Sequence, residues 1–121
     1  MEMVLDQHSH SVTGKLMVTV ACPDAELARR IGRTLVEKRL AACVQIGPQI
    51  ESIYRWKGAI ETANETLLTV KKTQAKWKAL LAEVEALHPY EVPEILAVPI
   101  ERGLKAYLDW MDGELGPPEE G

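Results

Sequence analysis

The chain has 121 residues, 46% hydrophobic and 26% charged, enough to bury a core without disulfides and well outside disordered composition. Its formal net charge of −4 excludes the basic footprint that general nucleic-acid or anionic-membrane binding requires. Two cysteines, Cys22 and Cys43, are too few for a disulfide framework or a Cys-only zinc quartet, and no apolar run reaches the roughly 20 residues that span a bilayer.

Residues 1–14 show no apolar periodicity and no apolar h-region, so they read as a flexible N-terminal extension and the expected location is cytoplasmic. His8 and His10 form a chelating pair there, a weak signal on its own. The folded domain is expected over residues 15–115, with residues 116–121 as a flexible acidic tail.

Leu16–Cys22 is a nearly unbroken apolar run rich in β-branched residues and predicts a strand buried on both faces. Pro23-Asp24 ends it, and Asp24 is placed to cap a helix reaching about Lys38. That helix has Leu27, Ala28, Ile31 and Leu35 on one side and Arg29, Arg30, Arg33 and Glu37 on the other. A second apolar strand, Leu40–Ile46, is broken by Gly47-Pro48. Ile50, Ser52, Tyr54 and Trp56 then alternate with Glu51, Ile53 and Arg55 as a half-buried strand. Lys57-Gly58 predicts a hairpin turn and a returning strand from about Ile60 to Lys72.

Thr73 is the expected cap of a second helix, whose stripe is Trp77, Leu80, Leu81, Val84 and Leu87. His88-Pro89 stops it, because the residue before proline is driven out of the helical region. Ile95–Ile100 is the last strand. A closing helix carries Leu104, Tyr107, Leu108 and Met111 inward. The order describes an α+β, ferredoxin-like βαββαβ sandwich with an additional C-terminal helix and an antiparallel sheet. Two helices cover one sheet face only, yet several strands are apolar on both. The third helix covers part of the second face, and a subunit interface is the expected cover for the rest.

The most distinctive stretch is His88-Pro89-Tyr90-Glu91-Val92-Pro93-Glu94, which packs an imidazole, a phenol and two carboxylates into a proline-stiffened loop. Imidazole with carboxylate suits a borderline divalent cation. The competing structural reading is a rigid turn in which His88 caps the preceding helix and Glu94 meets a neighbouring subunit. Tyr54, Trp56 and Trp77 mark either an aromatic pocket or core. Lys71-Lys72, just before Thr73, suits an anion at a helix N-terminus or a solvated strand end. Cys22 and Cys43 read as small buried hydrophobes. No G-x-S-x-G, phosphate-binding glycine loop, CxxC or H-E-x-x-H occurs, so no enzyme is expected.

Four stretches together carry a family resemblance: Lys38–Val44 (KRLAACV), Ile50–Gly58 (IESIYRWKG), Lys72-Thr73 and His88–Glu94, with Tyr107, Leu108 and Trp110 fitting as well. From about Leu16 to Leu115 the chain resembles the CutA divalent-cation tolerance family. Gln45 departs from the asparagine more usual after Ala-Ala-Cys-Val. The resemblance implies a homotrimer similar in architecture to PII signalling proteins and an association with Cu2+ or another divalent cation, with no organic cofactor. It points to His88, Glu94 and Cys43 as metal-ligand candidates, and to Trp56, Lys72, Tyr90 and Glu91 as ligand-cleft candidates. The alternative it leaves open is a PII-like signalling or scaffold trimer that binds a small anionic ligand in inter-subunit clefts.

Overall fold

The computed structural model describes residues 12–116, so nearly all of the expected N-terminal extension and acidic tail lies outside the described residues. The elements are β1 (Lys15–Cys22), α1 (Ala25–Glu37), β2 (Cys43–Trp56), β3 (Ala59–Thr73), α2 (Trp77–Leu87), β4 (Ile95–Pro99) and α3 (Lys105–Leu115). One four-stranded sheet runs in the order β2-β3-β1-β4, and each neighbouring pair is antiparallel.

Alternation along β1 sends Val18, Val20 and Cys22 to one face, where they are fully buried with Leu68 and Val70 of β3. Against them lie Ala28, Ile31 and Leu35 of α1 and Leu80 and Val84 of α2, with Trp77 and Leu87 half-buried at the edge. α1 starts where expected: Asp24 is extended, and its carboxylate accepts from the Leu27 N–H at 2.8 Å. Its charged residues Arg29, Arg30, Arg33 and Glu37 face out.

Gly32 is where α1 approaches the sheet most closely. A Cβ there would sit 2.8 Å from Val44 Cγ2 and 3.3 Å from Leu68 Cδ1. Overpacking of this kind costs about 1–3 kcal/mol, against roughly 1 kcal/mol gained from helix propensity. Gly32→Ala is therefore expected to lower stability in urea titration. Adding Val44→Ala should return part of the loss as a favourable coupling energy, whereas strict additivity would rule out the clash.

α3 takes the other sheet face. Val44 meets α1, so its neighbour Cys43 points the opposite way, and the Cys43 thiol interacts with Tyr107 of α3. Lys15, at the start of β1, also reaches Asp112 of α3 at 3.2 Å. Of the four residues expected inward from this helix region, only Met111 is fully buried. Leu108 is half-buried, while Leu104 and Tyr107 are exposed, because one short helix cannot cover the whole second face.

Three further expectations are corrected. The strands proposed on either side of Gly47-Pro48 are one strand, β2, with a register shift between Ile46 and Gln49. The irregularity accommodates a residue with no N–H, and pairing resumes beyond it. Leu40 and Ala41 precede the strand and instead donate backbone bonds to Leu35 O. Thr73 does not cap α2: it ends β3 opposite Lys15, and the helix starts after Lys76, which is left-handed at φ 65° and gives no side-chain cap.

The turn at Lys57-Gly58 has positive φ at both residues, 52° and 86°, the mirror-image geometry that suits strand twist. The hairpin it closes is long. β1 pairs with β3 only over Thr66–Thr73, so Ala59–Glu65 and their β2 partners project as a two-stranded ribbon. The expected half-burial of Ile50–Trp56 holds at Ile50 and Ser52 but not further out, where Tyr54 and Trp56 are exposed within one chain. Ile53 is 69% exposed and Ile60 60% exposed, because among the described residues no third strand or helix lies against the ribbon face they share.

Candidate functional site

The loop between α2 and β4 is fastened to the end of β1. The His88 N–H continues the helix ladder to Val84 O, and Ala21 N–H bonds to Glu94 O at 3.4 Å. The His88 ring is buried, with Nε2 2.8 Å from Ala21 O and Nδ1 accepting from the Tyr90 N–H at 3.2 Å. A carbonyl oxygen only accepts, so the proton sits on Nε2 and the Nδ1 lone pair is taken. Both ring nitrogens are thus engaged, and His88 sets the path of the loop. Its ring also meets Tyr90 edge-on at 4.7 Å between centroids.

Tyr90 extends this arrangement into an open cleft of about 660 Å³ between the loop and the ribbon. The cleft is lined by Ala21, Ser52, Ile53, Tyr54, Trp56, Glu65, Tyr90, Glu91, Val92 and Glu94. At its base Glu65 is only 7% exposed; Oε1 accepts from Ser52 Oγ at 2.6 Å and Oε2 from Tyr90 Oη at 3.0 Å. Burial, followed by the hydrogen bond to Glu65 and that carboxylate's charge, pushes the Tyr90 phenol up to about 12. Burial, with the charges of Asp24 and Glu65, similarly raises the Cys22 thiol to about 11, which keeps it protonated and unreactive at neutral pH.

The electrostatic character of the cleft is one-sided. Three carboxylates line it, Glu65, Glu91 and Glu94, and among the described residues no lysine or arginine does. Three aromatic side chains, Tyr54, Trp56 and Tyr90, form much of the wall. Such a surface favours a positively charged ligand.

Of the residues expected at a site, the structure brings together Trp56, Tyr90, Glu91 and Glu94, with His88 beneath them as a support. Cys43 and Lys72 lie elsewhere. Cys43 pairs with Lys71 at the far end of the sheet, six strand positions from Glu65, or roughly 20 Å. Among the described residues no three His, Cys, Asp or Glu side chains converge to hold a metal ion, so His88, Glu94 and Cys43 do not form one ligand set.

Lys72 is 1% exposed, and its ammonium donates to Thr73 O and Ala75 O, each at 2.7 Å, tying down the turn before α2. Burial, with a contribution from the nearby Lys76, lowers it to about 8. The unfolded chain therefore binds more protons between pH 8 and about 10.5, and Lys72 makes stability rise with pH across that window. Relative to Lys72→Met, the natural protein should gain up to about 3 kcal/mol from pH 8 to 10.5 in denaturant titrations. A constant difference would show that burial does not depress Lys72 in the fold, and that it stays charged as in the unfolded chain.

Ser52 and Glu65 are the site residues that sequence reasoning missed. The available signal for Glu65 was a carboxylate directly before the apolar run Thr66–Val70, where β-strand residues are core-bound.

Residues 16–114 match the CutA1 divalent ion tolerance protein family. The divalent-cation tolerance protein CutA of Thermus thermophilus is 49% identical over 100 residues, covering 83% of this chain and 97% of that protein. Human protein CutA is 46% identical over 107 residues, and the match spans 88% of this chain but 60% of the human protein. Among solved structures, CutA1 of the same Thermus species superposes with a TM-score of 0.81 at 48% identity, covering 84% of this chain and 99% of that one. The CutA1 of a psychrotrophic Shewanella, described as a stable protein, gives 0.82 at 40% identity, covering 88% of this chain and 97% of that one.

Proposed function

Since the chain belongs to the CutA1 divalent ion tolerance family, we propose that it is a non-enzymatic, trimeric response protein whose working site is the acidic cleft and whose ligand is a divalent cation, copper first. The observation that carries this reading is the charge of the cleft: three carboxylates line it and, among the described residues, no cationic side chain does. The same observation weighs against a small anion in this cleft, since Lys72, the cation that reading leaned on, is committed to two backbone carbonyls.

Glu91 and Glu94 are the ligands we assign. They supply two of the four to six donors a divalent ion takes, and a neighbouring copy or water supplies the others. Support for assembly comes from the apolar surface left uncovered in one chain: Ile53 and Ile60 on the ribbon, and Leu96 and Val98 on the edge strand β4. Isolated two-stranded ribbons are marginal in water, so this one gains its stability from packing against something. The free thiols of Cys22 and Cys43 suit a reducing compartment, and we assign the cytoplasm.

The test is a calorimetric copper(II) titration of a His8→Ala/His10→Ala chain, which lacks the competing N-terminal chelator. Saturable binding is expected, weakened at least tenfold by Glu91→Gln/Glu94→Gln. Binding of sulfate or a nucleotide in place of copper would overturn the reading.

A further inference from the structure

The cleft's carboxylates are spread around an aromatic wall rather than gathered on a point. Glu65 lies at the base, held by two neutral hydroxyls, while Glu91 and Glu94 stand exposed at the rim. One compact ion at Glu91 and Glu94 would leave Glu65 and the aromatic wall unused, since no three acidic, histidine or cysteine side chains converge among the described residues. It matches a ligand that carries several positive charges along an apolar chain. We propose that the cleft binds a linear aliphatic polyamine, with ammonium groups at the carboxylates and methylenes against Tyr54, Trp56 and Tyr90. The proposal rests on the reading of the cleft as a cation site and names a second ligand class for it.

Three observations carry the inference. The first is size: about 660 Å³ lies in the range of pockets that enclose small organic ligands, and far exceeds the room one metal ion fills. The second is Glu65, a carboxylate 93% buried with no cationic partner within salt-bridge reach among the described residues. A buried carboxylate held only by hydroxyls gains most when a cation arrives, because the desolvation has already occurred. The third is the aromatic wall itself. Lys57, outside the cleft lining, has its Nζ 5.6 Å from the Trp56 ring centroid, so this ring already takes an alkylammonium. Aromatic faces attract such cations, and flat hydrocarbon contact with methylenes adds to the attraction.

The measurement is a spermidine titration of the full chain in its native assembly at 150 mM salt, followed by calorimetry and tryptophan emission, with magnesium and copper(II) titrated in parallel. Saturable spermidine binding with a shift in emission is expected. Trp56→Leu, on the exposed ribbon, and Glu65→Gln should each weaken it at least tenfold. Glu26→Gln/Glu37→Gln, which removes two carboxylates on α1 outside the cleft, should change it less than twofold. Equal sensitivity to the α1 pair, or magnesium binding as tight as spermidine, would reduce the effect to general attraction to an acidic protein and overturn the proposal. Copper binding lost on Glu91→Gln/Glu94→Gln, with no spermidine binding, would sink the polyamine and leave the cation site standing. Failure of both ligands would sink both.

Discussion

Ile53→Lys combined with Ile60→Glu is expected, on the proposed trimer, to give single chains, seen by sedimentation as a threefold drop in mass, and to lower the melting temperature by at least 15 °C. Both side chains project from the ribbon, at 69% and 60% exposure within one chain. Burying a side chain of this size stabilises by about 1.5–3 kcal/mol, and each is repeated in every copy. Charges forced into such an apolar surface cost several kcal/mol more in desolvation, even when paired. Opposite signs were chosen because the two positions lie on one face of the ribbon, one pairing with Thr62 and the other with Arg55, so the variant keeps the ribbon's own local charge balance. Unchanged mass would show that these residues are surface in solution and remove the main support for assembly.

Glu65→Gln is expected to separate stability from binding. Ser52 and Tyr90 now donate to the two carboxylate oxygens, and an amide keeps one acceptor while the other hydroxyl turns to accept. The change removes a charge from a position 7% exposed, with no cationic side chain within salt-bridge reach among the described residues. Folding stability should hold or rise by about 1–2 kcal/mol, since the desolvation penalty disappears. Cation affinity should fall at least tenfold. The Tyr90 phenol, no longer facing a carboxylate, should titrate closer to its ordinary range, read by ultraviolet difference spectra at high pH. In the natural protein the raised phenol favours the folded state up to about pH 10 and loses that advantage as pH climbs toward 12. Glu65→Gln should flatten that decline. A large loss of stability without loss of binding would identify Glu65 as a structural brace instead.

The fold was legible because its elements are punctuated locally. Asp24 after Pro23, the Lys57-Gly58 turn and His88-Pro89 each act through backbone rules that need no tertiary information, and each falls at an element boundary. Gly47-Pro48 follows the same rules, yet the ladder continues past it, because pairing with β3 on both sides outweighs one lost donor. Thr73 failed as a cap for a related reason: β3 claims it first, opposite Lys15.

The site was legible only in part. The loop residues are contiguous, so their grouping showed in sequence, and Trp56 and Tyr90 do line one cleft. What sequence could not supply was partner choice. His88 reads as either a metal ligand or the brace of a rigid turn until its two nitrogens are found occupied by Ala21 O and the Tyr90 N–H. Lys72 reads as a solvated strand end until the chain folds its ammonium under the Thr73 and Ala75 carbonyls. Glu65 stands on a strand more than 20 residues from the loop, and only the register of β3 against β1 brings it beneath Tyr90.

Copper(II) quenching of tryptophan emission tests the central claim most directly, because copper quenches at short range and Trp56 is the one tryptophan of three that lines the cleft. In a His8→Ala/His10→Ala chain, the account predicts saturable quenching whose amplitude falls by more than half in Trp56→Phe and vanishes in Glu91→Gln/Glu94→Gln. Quenching of the same amplitude in both variants would place the ion elsewhere and contradict a cation site in the cleft.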